Sequence, residues 1–475
     1  MKKDILAFLI WFGACASAMG MPFSLPEILS DGMVLQQKSE VKIWGWGSPK
    51  QKITLNTSWD NMVYNVTVNP DSSWYVRVLT PEASYRNYSI TISSEKQKID
   101  LKDVLIGEVW LCSGQSNMHM PMKGYFGQPV TGSLDDIVSS GNDNLRFYTV
   151  KQKSSLTPLS ECEGNWEKSS PITTGNFSAT AYYFGRLLQK TLNIPVGLVH
   201  ASWGGSKIEA WMSKESLKAF PFAQIPTEEP DKKVAPLRST VIYNGMIHPI
   251  AGYNIKGVIW YQGEASTNQS GYKKYPELFE TMHKDWIGKW DMKINFPIYF
   301  CQITPYAHYT VKLGHFMREA QLKISQNQPN TAMAVLMDAG EENILHCANK
   351  KAPGERLAYI ALARLYGYNK LSYRSPEFRS LNIVDHKLML RFNYAEDGLS
   401  TFGKDLNNFK VAGEDKIFHA ATARIVLNTI ELSSPDVPRP VAVRYAFENY
   451  SEASLFGING LPVSSFRTDN WDNIK

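Results

Sequence analysis

Apolar and polar residues alternate by twos over the first stretch of the chain body. The runs Val41-Lys42-Ile43-Trp44, Lys52-Ile53-Thr54-Leu55, Ser73–Val78 and Tyr88–Ile92 are broken by turn residues at Gly45–Pro49 and Asn69-Pro70-Asp71. This period predicts short strands and no helix, so residues 21–102 read as an all-β, sandwich-like module. From Gly107 apolar runs alternate with amphipathic ones. Strands are predicted at Glu108–Cys112, Val196–Ser202, Lys256–Tyr261, Pro297–Ile303 and Thr331–Met337, with helices at Ser178–Gln189, Leu278–Trp286, His315–Gln326 and Glu355–Tyr366. Gly257-Val258-Ile259-Trp260 is apolar throughout, as in a parallel sheet covered on both faces. Residues 103–378 are therefore predicted to form an α/β domain, whose site lies just past the carboxyl ends of its strands. From about Arg379 alternation returns, at Lys387–Phe392, Phe409-Lys410-Val411, Arg424–Leu427 and Val441–Tyr445. Residues 379–475 read as a second β module.

The N-terminus departs from this plan. Lys2 and Lys3 precede an apolar stretch, Ile5–Gly13, and small residues ending in Ala16-Ser17-Ala18. That is the layout of a signal peptide over residues 1–20, and it places the mature protein in the periplasm or outside the cell. Phe12-Gly13-Ala14-Cys15 offers a second processing route, a lipid anchor on Cys15, with Phe at its first position against it. No other apolar run is long enough to span a bilayer.

Composition narrows the classes further. With 43% hydrophobic and 20% charged residues, disorder, collagen and coiled coil are excluded. A net charge of +5, with no long run of one sign, argues against a nucleic-acid partner. Cys112, Cys162, Cys301 and Cys347 lack C-x-x-C spacing, which points away from zinc or redox chemistry and assigns no disulfide pairing. No H-E-x-x-H or H-x-x-x-H is present, and no cofactor is implied.

Four strand ends carry candidate chemistry. The first strand runs into Ser113-Gly114-Gln115-Ser116-Asn117-Met118, where Ser116 is placed as an exposed nucleophile whose own N–H can face an oxyanion. The second leads into Trp203-Gly204-Gly205-Ser206, where paired glycines permit close backbone approach to a ligand or simply make a tight turn. The third ends in Gln262-Gly263-Glu264; a side-chain amide there either donates to an oxyanion without titrating or satisfies a turn. The fifth ends at Asp338 and is followed by His346, in reach of the serine as general base. Each has a plain structural alternative taken singly. Their joint order at strand ends of one parallel sheet favours the catalytic reading.

These blocks resemble those of SGNH-type esterases, and more narrowly the sialate O-acetylesterase family. The resemblance rests on Gly114-Gln115-Ser116-Asn117-Met118, Ser202-Trp203-Gly204-Gly205, Trp260-Tyr261-Gln262-Gly263-Glu264 and the His346 loop. It extends to Leu25-Pro26 with Met33-Val34-Leu35-Gln36, to Tyr243–Ile247, to Arg318-Glu319-Ala320-Gln321, and to Gly460-Leu461-Pro462 with Ser465–Asp469. It implies a flavodoxin-like hydrolase domain that removes O-acetyl groups from carbohydrate, of the 9-O-acetyl sialic acid type, without a metal. Ser116 is then the nucleophile and His346 the base. The N–H of Ser116, that of Gly204 or Gly205, and the Gln262 amide form the oxyanion hole.

One departure stands out. Many relatives carry Asp two residues before the catalytic His and Pro just after it; here those positions are Ile344 and Cys347. The third member of the triad is therefore open among Glu342, Glu341, Asp338, a backbone carbonyl and the neutral Asn343. Two other functions compete: acetylxylan or another plant-glycan acetylesterase, and a non-catalytic carbohydrate-binding protein with a decayed esterase core. Trp203, Trp211, Trp260 and Tyr261 supply either sugar-stacking surface or packing.

Overall fold

The computed structural model describes residues 22–268, 270–292, 295–309 and 313–472. The export segment and Cys15 lie outside the described residues. The 17-residue strand Lys98–Gly114 links two layers of the architecture. Its first part pairs antiparallel with Ser84–Ser93 in the N-terminal sheet, while from Val104 onward nearly every position is buried. The border drawn between residues 102 and 103 thus falls inside one strand.

The buried half sits mid-sheet. Across the sheet the order is Thr331–Ala334, Ile298–Cys301, Gly257–Tyr261, Lys98–Gly114, Val196–Ser202, Asn142–Thr149 and Trp166–Ser169. All neighbours are parallel except the last pair. Alternate side chains along each strand feed opposite faces. Leu111, Val258 and Trp260 pack with the helices Gly271–Trp290 and Gly314–Asn327, whereas Cys112, Ile259 and Tyr261 pack with Ala179–Leu192 and Lys351–Leu365. Helices therefore cover both faces. Gly114 lies opposite Ser202 on one side and Tyr261 on the other, so the loops after these three strands emerge side by side.

Two expectations are corrected. Gly45 does not open a turn but lies within the strand Glu40–Trp46, where a Cβ would sit 2.1 Å from the Ser24 carbonyl oxygen. The glycine serves a close approach of two chain segments. The last parallel strand stops at Ala334 rather than Asp338. Val335 and Met337 turn instead into the core of the C-terminal β region, beside Leu390, Val411, Leu432 and Val443. That region holds two four-stranded sheets. Cys112, Cys162, Cys301 and Cys347 are all free and buried.

Candidate active site

Gly114 makes the turn into the site. It adopts φ +136°, and a Cβ there would lie 2.2 Å from the Tyr261 carbonyl oxygen, so only glycine lets the strand end pass this close to its neighbour. Ser116 then opens a one-turn helix, Ser116–His119. Ser178 fastens that turn to the helix behind it, donating from Oγ to the Met118 carbonyl at 2.6 Å while accepting from Ala181 N–H.

Gly204 flanks the serine: a Cβ added to it would lie 3.5 Å from Ser116 Cβ. Among the described residues, the backbone N–H groups of Ser116, Gly204 and Gly205 have no protein acceptor. Gln262 is fully buried and donates from Nε2 to the Ser206 carbonyl at 3.0 Å. One of its two amide hydrogens therefore holds the Gly204–Ser206 loop. Gln115 Oε1 accepts from the N–H groups of Gly263 and Ala265, fixing the third loop to the first.

His346 is half-buried in the loop before the Lys351–Leu365 helix. Its Nδ1 is 2.7 Å from Gln128 Oε1. A carbonyl oxygen only accepts, so Nδ1 carries the proton and Nε2 keeps its lone pair. Burial, the Lys350 ammonium and His119 together hold the imidazole's pKa down to about 4. Ser116 Oγ and His346 share no hydrogen bond among the described residues. Their segments are joined through neighbours: Asn117 Nδ2 donates to the Leu345 carbonyl at 3.3 Å, and the Tyr125 hydroxyl donates to the Ser116 carbonyl at 3.3 Å. The Tyr125 ring meets the imidazole edge-on, with centroids 5.1 Å apart.

The carboxylates named from the sequence do not touch His346. Asp338 pairs with Arg356 through two 2.6 Å contacts. Glu341 accepts from Ala348 N–H at 3.0 Å, so it shapes the histidine loop from within. The Glu342 side chain is exposed, and Asn343 Oδ1 is taken by His308. The Nδ1 partner is a neutral amide, from a residue that sequence reasoning missed. A lone Gln between Gly127 and Pro129 gives no signal of its own.

Beneath the serine lies a second unforeseen feature. Lys350, fully buried, donates to Asn117 Oδ1, and Asn117 Nδ2 donates in turn to Glu264 Oε1 at 2.5 Å. Burial raises the Glu264 pKa, against the opposing pull of Asn117 and Lys350. This chain bolts the serine turn to the loop after Gly257–Tyr261 and to the end of the histidine loop. Trp211, Trp260 and Tyr261 are fully buried and Trp203 nearly so, which makes them packing residues rather than sugar-stacking surface.

Comparison with known proteins shows the family. Residues 106–362, more than half of the chain, match the family described as carbohydrate esterase, sialic acid-specific acetylesterase. The chain belongs to this carbohydrate esterase family. It is a carboxylic ester hydrolase. It is 29% identical over 449 residues to the sialate O-acetylesterase of Homo sapiens, covering 86% of this chain and 83% of that one. The Mus musculus sialate O-acetylesterase is likewise 29% identical over 449 residues, covering 80% of each. The crystal structure of a novel carbohydrate acetylesterase from Xanthomonas citri superposes with a TM-score of 0.86 at 32% identity, covering 95% of this chain and 100% of that one. Family membership spans the serine, glycine, glutamine and histidine segments alike. Among the described residues, no group of three or more His, Cys, Asp or Glu is gathered as a metal site, and no helix is long and apolar enough to cross a membrane.

Proposed function

We propose that this chain deacetylates carbohydrates through an acetyl-enzyme on Ser116, with His346 as its acid–base group. Ser116 Oγ attacks the acetyl carbonyl while His346 Nε2 takes its proton. The oxyanion is received by the free N–H groups of Ser116 and of Gly204 or Gly205, with the second Gln262 amide hydrogen as a further donor. Collapse of this intermediate expels the sugar oxygen, which takes the proton back from His346. Water, deprotonated by His346, then attacks the acetyl-enzyme and releases acetate.

The observation that carries this reading is the His346–Gln128 hydrogen bond, since it puts the ring proton of the neutral imidazole on Nδ1 and leaves the Nε2 lone pair free to take the Ser116 proton. An acetyl ester is activated enough for a Ser–His pair with oxyanion donors to suffice. Residues 1–20 read as a signal for action outside the cytoplasm.

For the substrate we infer an O-acetylated sugar of the 9-O-acetyl sialic acid type, supported by the names of the mammalian relatives. Acetate release from a 9-O-acetylated sialoside, acetylated xylan and an aryl acetate tests both parts. Preference for the sialoside, lost in Ser116→Ala, is the expected result. Preference for xylan would move the specificity to plant glycans. No release by folded wild-type protein would favour the carbohydrate-binding reading.

A further inference from the structure

With the strand-end tryptophans and Tyr261 buried, the rings expected to face a sugar do not reach solvent. The ring of Phe126, on the turn beside the site, does. Phe126 is fully exposed, at 105% of its reference accessibility. It sits at the corner of a tight turn closed by mutual backbone hydrogen bonds between Tyr125 and Gln128, at 2.9 and 3.0 Å. The turn requires Gly127, at φ +69°, but nothing apolar at position 126.

Both end residues of the turn, Tyr125 and Gln128, meet His346. Gln128 holds His346 Nδ1, and the Tyr125 ring lies edge-on to the same imidazole. Tyr125 is further fixed by a 2.7 Å contact from its hydroxyl to His119 Nδ1. Phe126 therefore projects from a turn anchored on both sides to the residues around the base. Among the described residues it has no ring partner. An unsupported phenyl ring in water forgoes its burial free energy, which a ligand lying over this turn would restore.

We infer that Phe126 is a substrate-binding residue, a platform on which the C–H face of the acetylated sugar lies while its acetyl group is at Ser116. This rests on the Ser116–His346 reading of the site. The class of ligand is a pyranose, whose axial C–H bonds make one face apolar. A short alkyl acetate lacks that face and gains little from the ring.

The test compares wild type, Phe126→Ala, Phe126→Trp and Ser116→Ala on a 9-O-acetylated sialoside, acetylated xylo-oligosaccharides and ethyl acetate. Phe126→Ala should raise KM for the preferred glycan about tenfold with kcat within about twofold, and lower the glycan-to-ethyl-acetate ratio of kcat/KM by the same factor. Phe126→Trp should keep the wild-type ratio. A Phe126→Ala protein with the wild-type ratio overturns the inference while leaving the site reading intact. Ser116→Ala that still releases acetate removes the site reading and this inference with it.

Discussion

His346 Nδ1 donates to Gln128 Oε1 at 2.7 Å, where a serine hydrolase triad places a carboxylate. An amide orients the ring and fixes its tautomer, but it lends no negative charge to the imidazolium that forms during attack. Gln128→Ala should therefore lower kcat about tenfold or more, through loss of orientation, with a smaller effect on KM. Gln128→Glu should move the acid limb of kcat/KM to higher pH, because a carboxylate favours the protonated ring. Steady-state pH profiles of the two variants separate orientation from charge.

The pH profile of the wild-type protein follows from the same site. The His346 pKa is lowered to about 4 by burial and by the nearby Lys350 and His119, against an ordinary value of 6.5. The base thus stays neutral down to mildly acid pH, and kcat/KM should fall only as the pH drops through about 4. Lys350→Met should move that limb upward, since removing an ammonium makes protonation of the ring easier.

Lys350 also bears on stability. Taking it away leaves Asn117 Oδ1 and the Glu264 carboxylate buried without their cation. The cost should be about 3 kcal/mol, read as a lower urea midpoint. Glu264 Oε2 has no partner even in the intact protein, so Glu264→Gln should cost less than Lys350→Met.

Acid sensitivity should have a histidine signature. Burial lowers His200 and His315 to about 3, as it helps lower His346 to about 4. Unfolded histidines bind protons below their ordinary 6.5, which the folded ones refuse until these lower values. The unfolded state thus binds more protons in this window, and stability should decline as the pH falls from about 6.5 towards 4. Urea midpoints across that range measure it, and replacing His200 by Gln should flatten the slope.

The oxyanion loop gives a further expectation. Gln262 Nε2 both holds Ser206 and supplies the proposed donor. Gln262→Ala should cost about 100-fold in kcat with little change in KM, the pattern of a donor used in the transition state.

Much of this site was legible because a parallel sheet places its chemistry at strand ends, and apolar runs announce the strands. Val196–Ser202 was read to the residue. The pattern marks only part of the Lys98–Gly114 strand, because its first part alternates between exposed and buried positions and its second is buried throughout, as one strand passes from an open sheet into a covered one. The Asn142–Thr149 strand carries no such pattern, because it opens with polar residues and buries Arg146, whose guanidinium donates to Asp103. Gln128 was illegible for a different reason. Its role comes from a turn folding back onto a loop more than 200 residues away in sequence, and no local pattern marks it.

Everything proposed for this site depends on Ser116 being the activated nucleophile. Peptide mapping after reaction with a fluorophosphonate, followed in step with loss of acetate release, tests it most directly. One label, on Ser116, with activity lost in proportion, is the expected result. Inactivation with the label on another residue, or full activity in protein labelled at Ser116, would contradict it.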